Sequence, residues 1–104
     1  MSWKDRINRL LQSFADQEID AILISRPENR YYLSGFNGSD GYLLITPQKQ
    51  VLATDFRYLE QAQRQSPGFS IFRISGPAEN WFPELVDEPG INRLGFESRH
   101  ITFY

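Results

Sequence analysis

The chain has 104 residues, of which 40% are hydrophobic and 23% charged, and its formal net charge is −2. That is the size and composition of one folded domain with a core of its own. The slight excess of acid and the scattered Lys and Arg give no electrostatic footprint for nucleic acid or an anionic membrane, and the absence of cysteine excludes a disulfide framework and thiolate metal sites.

Met1-Ser2-Trp3-Lys4-Asp5-Arg6 mixes charges from the start and lacks the apolar core of a signal peptide. The longest apolar run is far short of a membrane span. A soluble cytoplasmic protein is expected. Trp3, Ile7, Leu10, Leu11 and Phe14 recur at helical spacing, and Ser2 with Asp5 has the pattern of a capping box, so a first helix is predicted over 2–17. The nearly continuous apolar run 19–24 reads as a strand buried on both faces. Pro27 opens a short helix, where its missing N–H costs nothing, and Gly35 is placed to end it in a left-handed conformation.

Residues 42–46 and 50–54 flank Pro47-Gln48-Lys49, a hairpin signature. Asp55 is placed to cap a third helix that reaches about Gln65, where Ser66-Pro67-Gly68 breaks it. Residues 69–74 alternate like a strand. Asn80 is the expected cap of a helix carrying Trp81, Phe82, Leu85 and Val86, with Pro83 in its first turn. Residues 93–97 read as a last strand. The order α β α β β α β α β predicts an α/β fold, a mixed β-sheet flanked by helices. Thr102 has the look of a further helix cap, and the apolar finish at Tyr104 is expected of a piece of something longer.

The stretch 27–41, Pro-Glu-Asn-Arg-Tyr-Tyr-Leu-Ser-Gly-Phe-Asn-Gly-Ser-Asp-Gly, is where polar and aromatic side chains meet a glycine-rich backbone. Gly35, Gly38 and Gly41 do not make a phosphate loop. The P-loop and dinucleotide spacings are absent, and here a helix ends and a strand begins, the reverse of the order that points helix amides at an anion. Ser39, Asp40 and the single histidine, His100, lack the Gly-x-Ser-x-Gly elbow of a hydrolase nucleophile. No spacing of His and carboxylates matches a zinc or calcium site. The residues alone describe an α/β domain with a structured polar loop and no catalytic set.

That loop and its flanks carry a resemblance. Residues 19–24, then 27–36, Gly38-Ser39-x-Gly41, Thr54-Asp55-x-Arg57-Tyr58 and Leu94-Gly95-Phe96-Glu97 are together similar to the N-terminal domain of the Xaa-Pro peptidase family, which includes proline dipeptidase (prolidase), Xaa-Pro aminopeptidase and creatinase. The resemblance spans the whole chain and implies a ribonuclease H-like fold of the creatinase/prolidase N-terminal type over 1–104, with the final helix truncated. It implies a larger pita-bread domain beyond this chain, holding two divalent metal ions, expected to be manganese, on two aspartates, two glutamates and a histidine. Hydrolysis would occur there, and this chain would supply no catalytic or metal-binding residue.

The role implied for the N-terminal domain is to build a homo-oligomer, a dimer or larger, and to narrow access for short proline-containing peptides. The positions that carry over are Phe36, Asn37, Ser39 and Asp40 in the loop, with Arg57 and Tyr58 at the third helix. Asp40 would meet a peptide's amino terminus, and Phe36 and Tyr58 would wall the entrance. Arg57 has a second reading as a partner of Asp55 or Glu60. Tyr31, Tyr32 and Leu33 read as packing, and Trp81 is open between core and partner contact. Two other functions stay open: a non-catalytic interaction module of a pseudo-peptidase, as in histone chaperones of this architecture, and a creatinase-type amidinohydrolase domain.

Overall fold

The computed structural model describes residues 2–97. His100 and the helix expected from Thr102 lie outside them. Helix α1 (Trp3–Gln12) starts at the predicted capping box: the Ser2 hydroxyl accepts from the Asp5 N–H at 3.2 Å, and the Asp5 carboxylate accepts from the Ser2 N–H at 3.4 Å. Ile7, Leu10 and Phe14 are buried as the stripe requires, while Trp3 stays largely exposed.

The single helix predicted over 2–17 is in fact two. Ser13 directs both its N–H (3.0 Å) and its hydroxyl (2.7 Å) to the Leu10 carbonyl, a tightened turn that separates α1 from the short α2 (Phe14–Gln17). Glu18, at φ 56°, reverses the chain into the sheet.

The strands are β1 (Ala21–Ile24), β2 (Tyr42–Ile45), β3 (Gln50–Thr54), β4 (Ser70–Arg73) and β5 (Leu94–Phe96), in the order β4-β3-β2-β1-β5. β2 runs antiparallel to β1 and β3, and the outer pairs β3–β4 and β1–β5 are parallel. This is the predicted mixed sheet. The tight β2–β3 connection gives one antiparallel pair and the helical connection through α4 gives the parallel β3–β4 pair. β1 and β2, joined through α3, are antiparallel although a helical connection is expected to join parallel neighbours.

Helices α3 (Pro27–Ser34) and α4 (Leu59–Gln65) join α1 on one face, over Ile22, Ile24, Leu43, Ile45 and Leu52. Helix α5 (Ala78–Leu85) covers the other, over Ala21, Leu23, Leu44, Val51 and Ala53. Alternate side chains of β1 therefore enter different cores, which is why its sequence is continuously apolar.

Trp81 resolves as core: it is buried, with its ring 5.4 Å from that of Tyr42. Asn80 does not cap α5. The helix begins at Ala78 after Pro77, and the Asn80 N–H already donates to the Pro77 carbonyl at 2.9 Å. Proline sets the extended conformation from which the turn starts, so the helix opens earlier and Pro83 falls inside it.

The short strand β5 is pinned by acids at both ends. Before it, the Asp20 carboxylate accepts from the N–H groups of Asn92 (3.0 Å) and Arg93 (3.0 Å), bonds that hold this carboxyl below the usual aspartate range, the one to Arg93 foremost. After it comes Glu97, whose contacts reach the start of α3.

Leu52 is fully buried on the central part of the sheet. The Leu52→Ala variant is expected to lose about 2–5 kcal/mol of folding free energy, read from the shift of the urea unfolding midpoint at constant slope.

Candidate functional site

The loop between α3 and β2 starts at Gly35, whose φ of 80° and contact with the Trp3 indole leave no room for a side chain; a Cβ there would lie 2.6 Å from Trp3 Cζ2. The chain then turns Phe36 inward. Its ring is fully buried among Leu33, Leu52 and Ala62 and meets Tyr58 edge-on at 6.3 Å. The Ser34 hydroxyl accepts from the Phe36 N–H at 3.1 Å, and Ser66 donates to the Ser34 carbonyl at 2.8 Å.

Beneath the loop lies Arg30, only 4% exposed. Its Nη1 donates to the carbonyls of Ser25 (2.6 Å) and Gly41 (3.0 Å), and its Nη2 to that of Gly38 (3.0 Å). Burial away from water lowers the pKa of this guanidinium, against the opposing pull of Asp40 and Glu97.

On this base the loop presents an exposed polar rim against the 3₁₀ turn Phe56–Tyr58 and helix α4. Asp55 caps the turn, accepting from the Arg57 N–H at 3.0 Å. The Arg57 guanidinium grips both Asp55 oxygens, at 3.0 and 2.7 Å, and reaches Asp40 Oδ2 at 3.0 Å. The hydrogen bonds from Arg57 hold the Asp55 carboxyl below its usual range, and Asp55 in turn holds Arg57 more firmly protonated.

Ser39 and Tyr58 share a hydroxyl–hydroxyl hydrogen bond of 2.5 Å. Asn37 Oδ1 accepts from Gln61 (2.7 Å) and Gln65 (3.0 Å), and the Asn37 N–H donates to Gln65 Oε1 at 3.1 Å. Thr54 donates to the Asp40 carbonyl at 2.8 Å. Beside the rim is a cleft of about 460 Å³ lined by Arg30, Asp40, Tyr42, Thr54, Asp55 and Trp81.

Asn37, Ser39, Asp40, Arg57 and Tyr58 thus stand together, paired across the gap between loop and helix. Phe36 does not join them on the surface. An aromatic side chain that can be fully desolvated under the loop is drawn into the core. The exposed aromatic ring of this region is Phe56, 68% exposed beside Asp55 and Arg57. Its position in Thr-Asp-x-Arg-Tyr, outward on the turn that Asp55 caps, was the available signal. Gln61 and Gln65, one helical turn apart, had none beyond that spacing.

Chemically, the rim can bind charged and hydrogen-bonding groups. The contacts of Ser39 pair it with a phenol, not with a base that would make it a nucleophile. Among the described residues, no group of three or more His, Cys, Asp and Glu side chains could hold a metal ion; the carboxylates of Asp40 and Asp55 are joined through Arg57, a cation where a metal would have to sit. These residues do not fit a metal centre.

The described residues form a mixed five-stranded α/β domain that carries a preorganised polar rim. The chain matches the family model described as the creatinase/prolidase N-terminal domain over residues 6–104, and it belongs to that family. It is 38% identical over 98 residues to the uncharacterized peptidase YqhT of Bacillus subtilis, covering 94% of this chain and 28% of the relative.

Among solved structures, a Xaa-Pro dipeptidase from Bacillus anthracis superposes with a TM-score of 0.88 at 36% identity, over 97% of this chain and 28% of that one. The N-terminal domain of the cytoplasmic peptidase PepQ from Mycobacterium tuberculosis gives 0.81 at 38% identity, over 94% and 76%. The chain therefore spans little more than a quarter of the full-length peptidases it resembles. No helix of the described residues is long and apolar enough to cross a membrane.

Two outcomes test the site. The Asp55 carboxyl, followed by ¹³C NMR, is expected to titrate below the ordinary aspartate value of about 3.9, and Arg57→Gln to return it toward that value. Because this pKa is lowered on folding, the pairing stabilises the domain above the ordinary range, and that contribution is lost as pH falls through the depressed value. Secondly, a Cβ at Gly38 would lie 2.3 Å from Phe36 Cζ. Gly38→Ala is expected to cost about 1–3 kcal/mol by displacing the buried ring, measured by urea unfolding.

Proposed function

We propose that this chain is the N-terminal, substrate-access domain of a metal-dependent Xaa-Pro peptidase, a proline dipeptidase or Xaa-Pro aminopeptidase. The observation that carries the reading is the rim itself: Asn37, Ser39, Asp40, Arg57 and Tyr58 are exposed or half-exposed, yet held in place by one another and by α4. Such preorganised polar groups on a face without a nucleophile suit contact with a substrate or neighbouring subunit, not bond cleavage. Hydrolysis of the Xaa-Pro bond would take place in a downstream catalytic domain, where two divalent metal ions, manganese in the first instance, activate water.

In this reading the domain contributes contacts to a cytoplasmic homo-oligomer and limits entry to short proline-containing peptides. Asp40 meets the peptide's amino terminus, because the Arg57 side chain gives it one hydrogen bond while giving Asp55 two. Tyr58 stays in the rim, and Phe56 takes the place of Phe36 as its apolar wall. The likeness to peptidases named as Xaa-Pro dipeptidase and PepQ supports this over creatinase-type chemistry or a pseudo-peptidase module.

The full-length protein is expected to cleave Xaa-Pro dipeptides or peptides only with added divalent metal, and the 104-residue chain alone to cleave none. Asp40→Asn in the full-length protein is expected to lower kcat/KM about tenfold or more, the scale of one lost hydrogen bond to a charged group, about 1.5–3 kcal/mol. Full-length protein with metal bound and no Xaa-Pro cleavage would overturn the peptidase reading. Unchanged kinetics for Asp40→Asn would overturn only the role of the rim.

A further inference from the structure

Helix α3 has no cap of its own. Its N-cap residue, Arg26, offers no side-chain acceptor, and Pro27 carries no N–H. The acceptor comes instead from the far end of the chain. Glu97 Oε1 accepts from the Arg26 N–H at 2.7 Å and from the Ser25 hydroxyl at 3.2 Å, and is also bonded closely by the Ser25 N–H. Glu97 Oε2 accepts from Asn29 Nδ2 at 2.5 Å. A carboxylate at a helix start both satisfies free N–H groups and opposes the positive end of the helix.

Ser25 is held twice, at its N–H and hydroxyl by Glu97 and at its carbonyl by Arg30 Nη1. From the same turn Arg30 reaches the Gly38 and Gly41 carbonyls, which bracket Ser39 and Asp40. We propose that Glu97 is a positioning residue for the 37–41 rim, acting through the first turn of α3 and Arg30. The electrostatics agree: Asp40 and Glu97 are the leading charges that offset the burial of Arg30. The last strand of the described chain is thereby tied to the shape of the recognition loop, whatever that loop binds.

The test uses the 104-residue chain and ¹H–¹⁵N correlation spectra, with urea unfolding recorded in parallel. Glu97→Gln is expected to displace the amide peaks of Gly38, Ser39, Asp40 and Gly41 while leaving those of β3 and β4 in place. In an Arg30→Lys background the same substitution is expected to displace the loop peaks no further, because the connecting fork is gone. Glu97→Asp keeps the charge on a shorter stem; it is expected to displace the loop peaks less than Glu97→Gln does, and it carries the test if Glu97→Gln does not fold. A lowered urea midpoint with the loop peaks of the folded Gln or Asp variant unmoved would make Glu97 a helix cap and nothing more. An equal displacement with Lys at position 30 would also overturn the inference.

Discussion

The buried guanidinium of Arg30 is the interaction on which the rest of the site depends. Three carbonyls, from Ser25 before α3 and from Gly38 and Gly41 in the loop after it, turn toward it because none of them lies within a strand or helix. A planar cation with several donors serves three acceptors at once, whereas an ammonium on a flexible stem would have to hold them as a point charge. Burial opposes the charge and the carbonyl dipoles favour it. The result is a loop fixed from below, so that its upper side is free to carry Ser39 and Asp40. Nε of the same guanidinium is buried without a protein partner, so the fork satisfies the loop more completely than the loop satisfies it.

The sheet depends on similar arrangements at longer range. β5 has three paired residues and would be a weak strand by its length alone. Asp20 holds its approach and Glu97 its departure, so two carboxylates supply what the short ladder lacks. With β5 held at its side, β1 lies next to the edge and yet is fully buried, because α5 covers one of its faces and α1 and α3 the other.

Much of this was legible in the sequence wherever the determinant is local. The Ser2–Asp5 box, Pro27 and Gly35 around α3, and the hairpin at Pro47 each act within a few residues and appear where the pattern puts them. Asp55, expected to cap the third helix directly, instead caps the 3₁₀ turn Phe56–Tyr58, and α4 opens only at Leu59. The grouping of Ser39 and Asp40 with Arg57 and Tyr58 was legible too, through a family pattern that spacing alone does not explain. The misses have nonlocal or competing causes. Ser13 breaks the first helix because its hydroxyl competes for the Leu10 carbonyl, although the apolar stripe continues past it. Phe36 is placed at the entrance by the resemblance, and its own sequence context does not show whether the ring turns out or in. Only the folded core, in which Phe36 joins Leu33 of α3 and Ala62 of α4 in one buried cluster, shows that it turns in. Glu97 lies 71 residues from the Arg26 N–H that it caps, a distance at which no sequence window operates.

The rim's own charges then acquire a direction. Arg57 lies between two carboxylates and gives Asp55 two side-chain hydrogen bonds and Asp40 one, so the cluster carries one negative charge more than it neutralises. Asp40 is the partner with acceptor capacity remaining. Exposed to water, these pairs add little to stability, and the loop rests instead on Arg30, Thr54 and the buried ring of Phe36. Covering the rim with another surface would remove that solvent screening and strengthen every charge beneath it. A cationic amine would then gain where a carboxylate would be repelled. A face that is weakly paired in water and selective once covered is what the proposed access role requires of Asp40 and Arg57.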